Sequence, residues 1–282
     1  MVINMLEEKQ IVFVGAGAIA ESIIAGLIDD DVVSPSQITA TNRHDTQRLE
    51  VLKERYNINI SINKEEAVSK KDIIILAMKP KDVVEGLQGI KAFTSNEQLF
   101  ISVLAGTPTT YISLLLGNKA PVIRSMPNTS AKVGASATAV SAGEYASNEH
   151  VDLAVKLLNA VGTVTVVPEE KLDAVTGLAG SGPAYIYYLV EAMEQAAAEI
   201  GLDKDEAKEF IVQTVFGAAK RLQSTNKSSS ELYKEIMSPG GTTEAGFKIL
   251  SDARFQEITV NAIKRATERS KELGMIFSKT TK

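Results

Sequence analysis

The sequence predicts an α/β chain in two parts: a parallel, doubly wound sheet in the N-terminal part, then an all-α C-terminal domain. Three observations predict it. Short apolar segments alternate with helical patterns as far as Arg124. The first of them runs straight into a glycine-rich turn, IVFVGAGAIAES, over residues 11–22. Beyond Pro168 the alternation gives way to alanine-rich segments whose apolar residues recur at helical spacing.

Taken in order, Ile11–Val14 reads as a strand and Ala18–Leu27 as a helix. Ile38–Thr41 follows as a strand and Thr46–Arg55 as a helix. Asn59–Ile62 is a short strand, Ile73–Ala77 a buried one, and Val83–Ile90 a helix. Leu99–Val103 and Val122–Arg124 are strands, with Pro108–Leu115 helical between them. Strands that are apolar throughout, separated by helices, belong to parallel sheets covered on both faces. Right-handed crossovers then wind the sheet in both directions.

In the second half, Ile186, Leu189, Val190, Met193 and Ala197 fall on one helical period. Ala207, Phe210, Ile211, Thr214, Val215, Ala218 and Leu222 repeat it. Thr259–Leu273 reads as a third helix, with Gly274 as its stop. Ser224–Ser230 is a polar linker. Helices this apolar around their circumference must be covered by close neighbours, and a few helices cannot cover themselves, so a subunit interface is expected. The alternative is a self-contained bundle. The division falls at residues 1–167 and 168–282.

The whole-chain figures narrow the function. The 282 residues carry a formal charge of −5 and are 44% hydrophobic. A net acidic chain is not built for nucleic acid or a polybasic membrane surface, and neither partner is expected. There is no cysteine, which removes disulfides, thiolate catalysis and cysteine-based metal sites; no metal site is assigned. The acidic start MVINMLEEKQ lacks a signal-type apolar stretch. No apolar run reaches the ~18 residues of a spanning helix. A cytoplasmic protein is expected.

The glycine turn has a specific chemistry. Gly15 permits the tight exit from the strand. Gly17 lets a pyrophosphate approach the backbone, and the small Ala20 lets the helix pack close to the strand. The phosphate then meets free N–H groups at the helix N-terminus. The stretch Gly15, Ala16, Gly17, Ala18, Ile19, Ala20 follows a strand and opens a helix, which is the setting a Rossmann-type dinucleotide site requires. A purely structural turn is the other reading. An NAD site usually places a carboxylate ~20 residues further on. Here the second strand ends Thr41-Asn42-Arg43-His44. Arg43 suits a 2′-phosphate, which a carboxylate would repel, so NADPH is favoured, with NADH possible; a solvated loop arginine is the alternative. Ala77-Met78-Lys79-Pro80 and Ala105-Gly106 close later strands at their carboxyl ends, where ligands bind such sheets.

Proton chemistry is sparse. The two histidines, His44 and His150, lie on the adenine-side loop and at a helix start, and neither is placed for proton transfer. Ketone reduction makes an alkoxide and wants an acid. Reduction of a protonated imine needs positioning and a polar setting more than a proton donor. Lys79, Lys171 or a tyrosine remain available as acids. Two later stretches look like sites: Thr176-Gly177-Leu178-Ala179-Gly180-Ser181-Gly182-Pro183-Ala184-Tyr185, and Ser238-Pro239-Gly240-Gly241-Thr242-Thr243-Glu244-Ala245-Gly246. The glycines of the first exclude helix interior, and Pro183 suits a first helical turn. Hydroxyls and backbone N–H groups of the second can hold a carboxylate. The alternative for both is an ordinary helix-start loop.

At these residues the sequence resembles the pyrroline-5-carboxylate reductases, from Ile11 to about Gly274. The resemblance rests on Arg124-Ser125-Met126-Pro127-Asn128-Thr129, on Asp173–Gly177 with Gly180–Tyr185, and above all on Ser238–Thr243. It implies NAD(P)H-dependent reduction of 1-pyrroline-5-carboxylate to L-proline, the last step of proline biosynthesis. It implies that Thr176 bonds near the ring nitrogen and that Ser238, Gly240, Gly241 and Thr243 grip the substrate carboxylate. Asn63 matches a cofactor-ribose contact, and Ala77, Lys79 and Pro80 match the nicotinamide side, in a cleft formed partly by a neighbouring subunit. It also implies an all-α C-terminal dimerisation domain, with dimers assembling into a decamer. Two departures stand out: Ile19 replaces a frequent Met, and Ser130 replaces a proline, loosening a turn. Another NADP-dependent reductase, of the β-hydroxyacid dehydrogenase type, would need a lysine near the start of the long helix, and Ala174–Tyr185 has none. A nucleotide-binding sensor without turnover would not need the second grip.

Overall fold

A computed structural model of the chain describes residues 6–278. Two compact units result: residues up to Ser181 together with the chain from Arg265 onward, and Gly182–Lys264.

The first unit is built on an eight-stranded sheet. In chain order it holds β1 (Ile11–Val14), α1 (Ala18–Asp29), β2 (Ile38–Thr41), α2 (Thr46–Tyr56), β3 (Asn59–Ile60), α3 (Lys64–Val68), β4 (Ile73–Leu76), α4 (Val83–Gln88), β5 (Leu99–Ser102), α5 (Thr109–Leu116), β6 (Val122–Met126), β7 (Ser136–Ala142), α6 (Asn148–Asn159), β8 (Gly162–Val166) and α7 (Leu172–Val175). The spatial order is β3-β2-β1-β4-β5-β6-β7-β8. All neighbours pair parallel except β6 and β7, which are antiparallel. The chain turns back on itself beside β1, so β1 lies between β2 and β4, and Val14 stands level with Thr41 and Leu76. Ligands bind such sheets in the crevice at that reversal.

Alternating side chains build two cores. Ile11, Phe13, Ile73 and Ile75 face α1, α2 and α6, in one cluster with Ile23, Leu27, Leu49, Leu52 and Leu157. Val12, Ile74 and Leu76 face the other way, with Val83, Leu87, Tyr111 and Ile112. Each fully buried aliphatic side chain contributes about 1.5–3 kcal/mol. One close approach sits at Gly26 on α1, where an added Cβ would lie 2.3 Å from the Ala160 carbonyl oxygen.

Four sequence expectations change. The sheet is not wholly parallel: β7, SATAVSA, runs antiparallel to β6, which it follows after a short connection, and parallel to β8. Gly177 and Gly180 lie inside a π-helical turn, Thr176–Gly180, and so are helical after all. Gly274 does not end its helix: α12 runs Phe255–Ser278. Glycine is used there for closeness, since a Cβ would sit 3.1 Å from the Gly106 carbonyl oxygen. Ser130 also does not loosen its turn; its N–H, which a proline would lack, bonds to Asn128 Oδ1 at 3.0 Å.

The second unit holds α8 (Gly182–Glu199), α9 (Lys204–Gln223), α10 (Ser229–Ile236), α11 (Thr242–Asp252) and α12 as far as Lys264. Pro183 stands in the first turn of α8. Asp203 with Glu206, and Ser228 with Glu231, form capping boxes that start α9 and α10; the second box shortens the expected linker. Its buried apolar cluster is Ala197, Ala207 and Ile211. Large apolar side chains stay exposed within one chain: Tyr188 by 77%, Phe210 by 63% and Ile249 by 69%. No described helix is long and apolar enough to cross a membrane.

Replacing a helical glycine by alanine ordinarily gains about 1 kcal/mol. At Gly26 the collision with backbone reverses the sign, so Gly26→Ala should destabilise by about 1–3 kcal/mol. A urea-melt midpoint lower than that of the native chain is the expected result.

Candidate functional site

The site begins where β1 ends. Gly15 adopts φ +113°, and a Cβ there would lie 2.6 Å from the Ala77 carbonyl and from the Met78 nitrogen. Only glycine lets these two chain segments touch. Gly17 then takes extended backbone and starts α1 with no side-chain cap. Nothing lies within 4 Å of its absent Cβ. The uncapped start of α1 thus lies beside open space at Gly17, the setting an anionic pyrophosphate needs.

A cleft of about 490 Å³ opens from this turn. Gly15, Ala16, Gly17, Asn42, Arg43, Ala77, Met78 and Lys79 line it, as do His44, Asp45, Arg48, Ile62, Lys64, Lys81, Asp82 and Glu85. Ala18, Ile19, Ala20, Asn63, Pro80, Ala105 and Gly106 are not part of its walls. Ile19 packs against the core beneath the turn, and Ala20 is fully buried there. The Asn63 side chain caps α3, accepting from Glu66 N–H at 3.2 Å, between two wall residues. Arg43 does not stand free; its guanidinium pairs with Glu85.

Sequence reasoning missed a brace behind the turn. Arg48 Nε donates to the Ala16 carbonyl oxygen at 2.9 Å, and its other nitrogen binds the Glu21 carboxylate. Arg55 and the Tyr56 hydroxyl reach the same carboxylate at 3.1 and 3.2 Å. The bond from Arg48 holds the Glu21 carboxyl below its ordinary range, against a smaller opposing effect of burial. An arginine in the first turn of α2 and a glutamate in the first turn of α1 were the available signal.

Thr176 lies in the π-helical turn of the first unit. Its hydroxyl donates to the Leu172 carbonyl at 2.8 Å, which leaves the oxygen lone pairs as acceptors. The turn is fixed from outside. Asn128 Nδ2 donates to the Ala179 carbonyl at 3.0 Å, and a Cβ on Gly180 would meet Met126 Cε at 2.9 Å. Buried Arg124 reaches Glu169 at 3.3 Å and Asp173 at 3.7 Å. Glu169 also accepts from the N–H and hydroxyl of Thr109, and Asp173 accepts from Ser270 at 2.7 Å. The Arg124–Thr129 block, noticed only through resemblance, is therefore the seat of the Thr176 turn.

In the second unit, Ser238–Gly241 is the tight turn into α11. Gly240 takes φ +72°. Its N–H donates to Glu244 at 2.7 Å, and Gly241 N–H donates to the Ser238 carbonyl at 2.9 Å. Gly241 starts α11 with no side-chain cap. Stacking of Tyr233 on Phe247, with centroids 5.1 Å apart, ties α10 to α11 around the turn. Ser238, Gly241 and Thr243 thus surround a helix start able to take an anion, whereas Gly240 supplies the bend.

The Glu21 brace has a pH signature. A carboxyl held low in the folded state stabilises it above the ordinary value of 4.5. That contribution disappears as the pH falls through the folded value. Native protein should lose urea resistance more steeply below pH 4.5 than Glu21→Gln does. Arg48→Met should weaken NADPH binding several-fold in a fluorescence titration, through the loosened Ala16 carbonyl.

The sequence model described as pyrroline-5-carboxylate reductase dimerisation matches residues 169–273, and one described as NADP oxidoreductase, coenzyme F420-dependent, matches residues 10–106. The chain is 46% identical to pyrroline-5-carboxylate reductase 2 of Bacillus subtilis (strain 168), over 96% of this chain and 97% of that protein. It is similar to the structure of a pyrroline-5-carboxylate reductase from Coxiella burnetii, with TM-score 0.87 and 34% identity over 94% of this chain and 98% of that one. It is also similar to Plasmodium falciparum pyrroline carboxylate reductase with NADP bound, with TM-score 0.86 and 25% identity over 95% and 99%. With a doubly wound sheet, a glycine cradle at its reversal and a C-terminal dimerisation region, the chain belongs to the pyrroline-5-carboxylate reductase family.

Proposed function

We propose that this chain reduces 1-pyrroline-5-carboxylate to L-proline with NADPH or NADH, closing proline biosynthesis in the cytoplasm. The observation that carries the reading is kinship over 96% of the chain, which takes in both the glycine turn and the Ser238–Thr243 loop. The NADP in the Plasmodium relative and the open cradle at Gly17 support the cofactor.

Gly15, Ala16 and Gly17, with the start of α1, hold the pyrophosphate. Asn42 and Arg43 take the adenosine side, with Asn63 on the ribose. Ala77, Met78, Lys79 and Pro80, with Ala105 and Gly106, line the nicotinamide side. Bound there, the reduced nicotinamide supplies two electrons and one hydrogen to the imine carbon.

The residues of the chain do the rest. Thr176, whose proton is committed to Leu172, offers an acceptor to the N–H of a protonated imine and fixes that nitrogen. Ser238, Gly241 and Thr243 bind the carboxylate of the substrate, helped by the uncapped N-terminus of α11. Gly240 shapes that loop. The nitrogen arrives protonated and leaves as a neutral amine, so no alkoxide forms and no strong acid is required. Dehydrogenation of a hydroxy acid fits less well, because Ala174–Tyr185 supplies no lysine. A sensor without turnover has no use for the second grip.

The dimerisation region and the exposed apolar faces of α8 and α9 support self-association. The finer assembly is a decamer of five dimers. Light scattering giving ten times the chain mass is the expected result; a lone dimer would refute the decamer.

The reaction is tested by absorbance at the nicotinamide band with 1-pyrroline-5-carboxylate and each reduced cofactor. Thr243→Val should raise the substrate KM about tenfold or more, since a hydrogen bond to a charged group is worth about 1.5–3 kcal/mol. Its NADPH Kd should stay unchanged. Thr176→Val should lower kcat by a similar factor.

A further inference from the structure

The Arg43–Glu85 pair raises a question that the cofactor assignment leaves open. Arg43 follows β2, where a guanidinium can fork onto a 2′-phosphate. Yet its partner in the structure is Glu85, from the first turn of α4. Both side chains are about half exposed, and both line the same cleft.

The placement of Glu85 is fixed by packing. Its neighbour Gly86 leaves room for Met78, whose Sδ would lie 2.4 Å from a Cβ on residue 86. Val83 and Leu87 are buried in the core below. The helix therefore lies against the loop that follows β4 and holds residue 85 along the cleft wall. Two nearby carboxylates, Asp45 and Glu21, are committed to local structure. Asp45 caps α2 through Arg48 N–H, and Glu21 is held by Arg48, Arg55 and Tyr56. Glu85 instead faces Arg43, the cation that follows β2.

We infer that Glu85 is a specificity-determining residue that narrows the preference for NADPH over NADH. The inference rests on the proposed role of Arg43. A 2′-phosphate must displace Glu85 from the guanidinium and then tolerates a carboxylate close by. A 2′-hydroxyl displaces nothing and can donate to a carboxylate, the role an acidic residue after β2 plays in NAD-specific sites. The ion pair thus serves both cofactors, Arg43 for one and Glu85 for the other.

The test is binding on the full-length protein, read by nicotinamide fluorescence, with 2′,5′-ADP and ADP compared by calorimetry. Glu85→Gln should tighten NADPH about three- to tenfold, the scale of an exposed ion pair plus local repulsion. NADH should be unchanged or weaker. Glu85→Ala should move NADPH the same way, and raised salt should shrink the effect. In an Arg43→Gln background most of the gain from Glu85→Gln should vanish. An unchanged NADH-to-NADPH Kd ratio in Glu85→Gln overturns the inference while leaving the cofactor site standing. If native protein binds 2′,5′-ADP no better than ADP, and Arg43→Gln leaves NADPH affinity intact, the Arg43 assignment itself fails and takes the inference with it.

Discussion

At the carboxyl end of β1 one stretch of backbone lies directly on another, and Gly15 is where they meet. Strands β1 and β4 must be neighbours for the sheet to reverse its winding. Their exits must therefore pass each other with no side chain between them. A positive φ at Gly15 and its missing Cβ satisfy both demands at once. The start of α1, the open space at Gly17 and the mouth of the cleft all follow from that contact. So does the need for a brace: Arg48 ties the Ala16 carbonyl to the first turn of α1 through Glu21, and the turn is anchored from both flanks.

A second constraint governs the Thr176 turn. A π-helical turn is rare, and such turns are frequent at functional sites. Here Ser181 N–H reaches back to the Thr176 carbonyl at 2.9 Å, and Asn128 holds Ala179 from outside. Beneath lies Arg124, with only 7% of its side chain exposed, between Glu169 and Asp173. Buried ion pairs contribute little net stability, but removing one partner is costly because a charge is left uncompensated. The network is better understood as a positional lock: it joins β6, α5, α7 and α12 at the base of the turn.

Much of this was legible in the sequence wherever one local rule dominates. Apolar strands, the glycine cradle and the helix periods each need only a few neighbouring residues, and β1, β2, β4 and β5 lie within a residue of their expected limits. Strand β7 was not legible, because a strand of small residues has no strong pattern of its own. Gly180 and Gly274 misled for a shared reason. Glycine suggests a break when its neighbours along the chain are considered, yet here it makes room for Met126 and for Gly106, which are distant in sequence. The same applies to the site: hydroxyl and glycine loops could be located, but the partners of Arg43, Arg48 and Arg124 depend on tertiary approach. The loop residue Gly240 is the subtler case, since its N–H is already taken by Glu244 and its contribution is conformational.

The helical unit conceals very little of its oily surface by itself, with Tyr188, Phe210 and Ile249 all facing outward in a single chain. Its integrity is therefore a property of a population rather than of one molecule. By mass action each tenfold dilution costs the associated form about 1.4 kcal/mol relative to free chains. The cell's copy number thus becomes a structural variable, setting how much of this polypeptide exists in its shielded form.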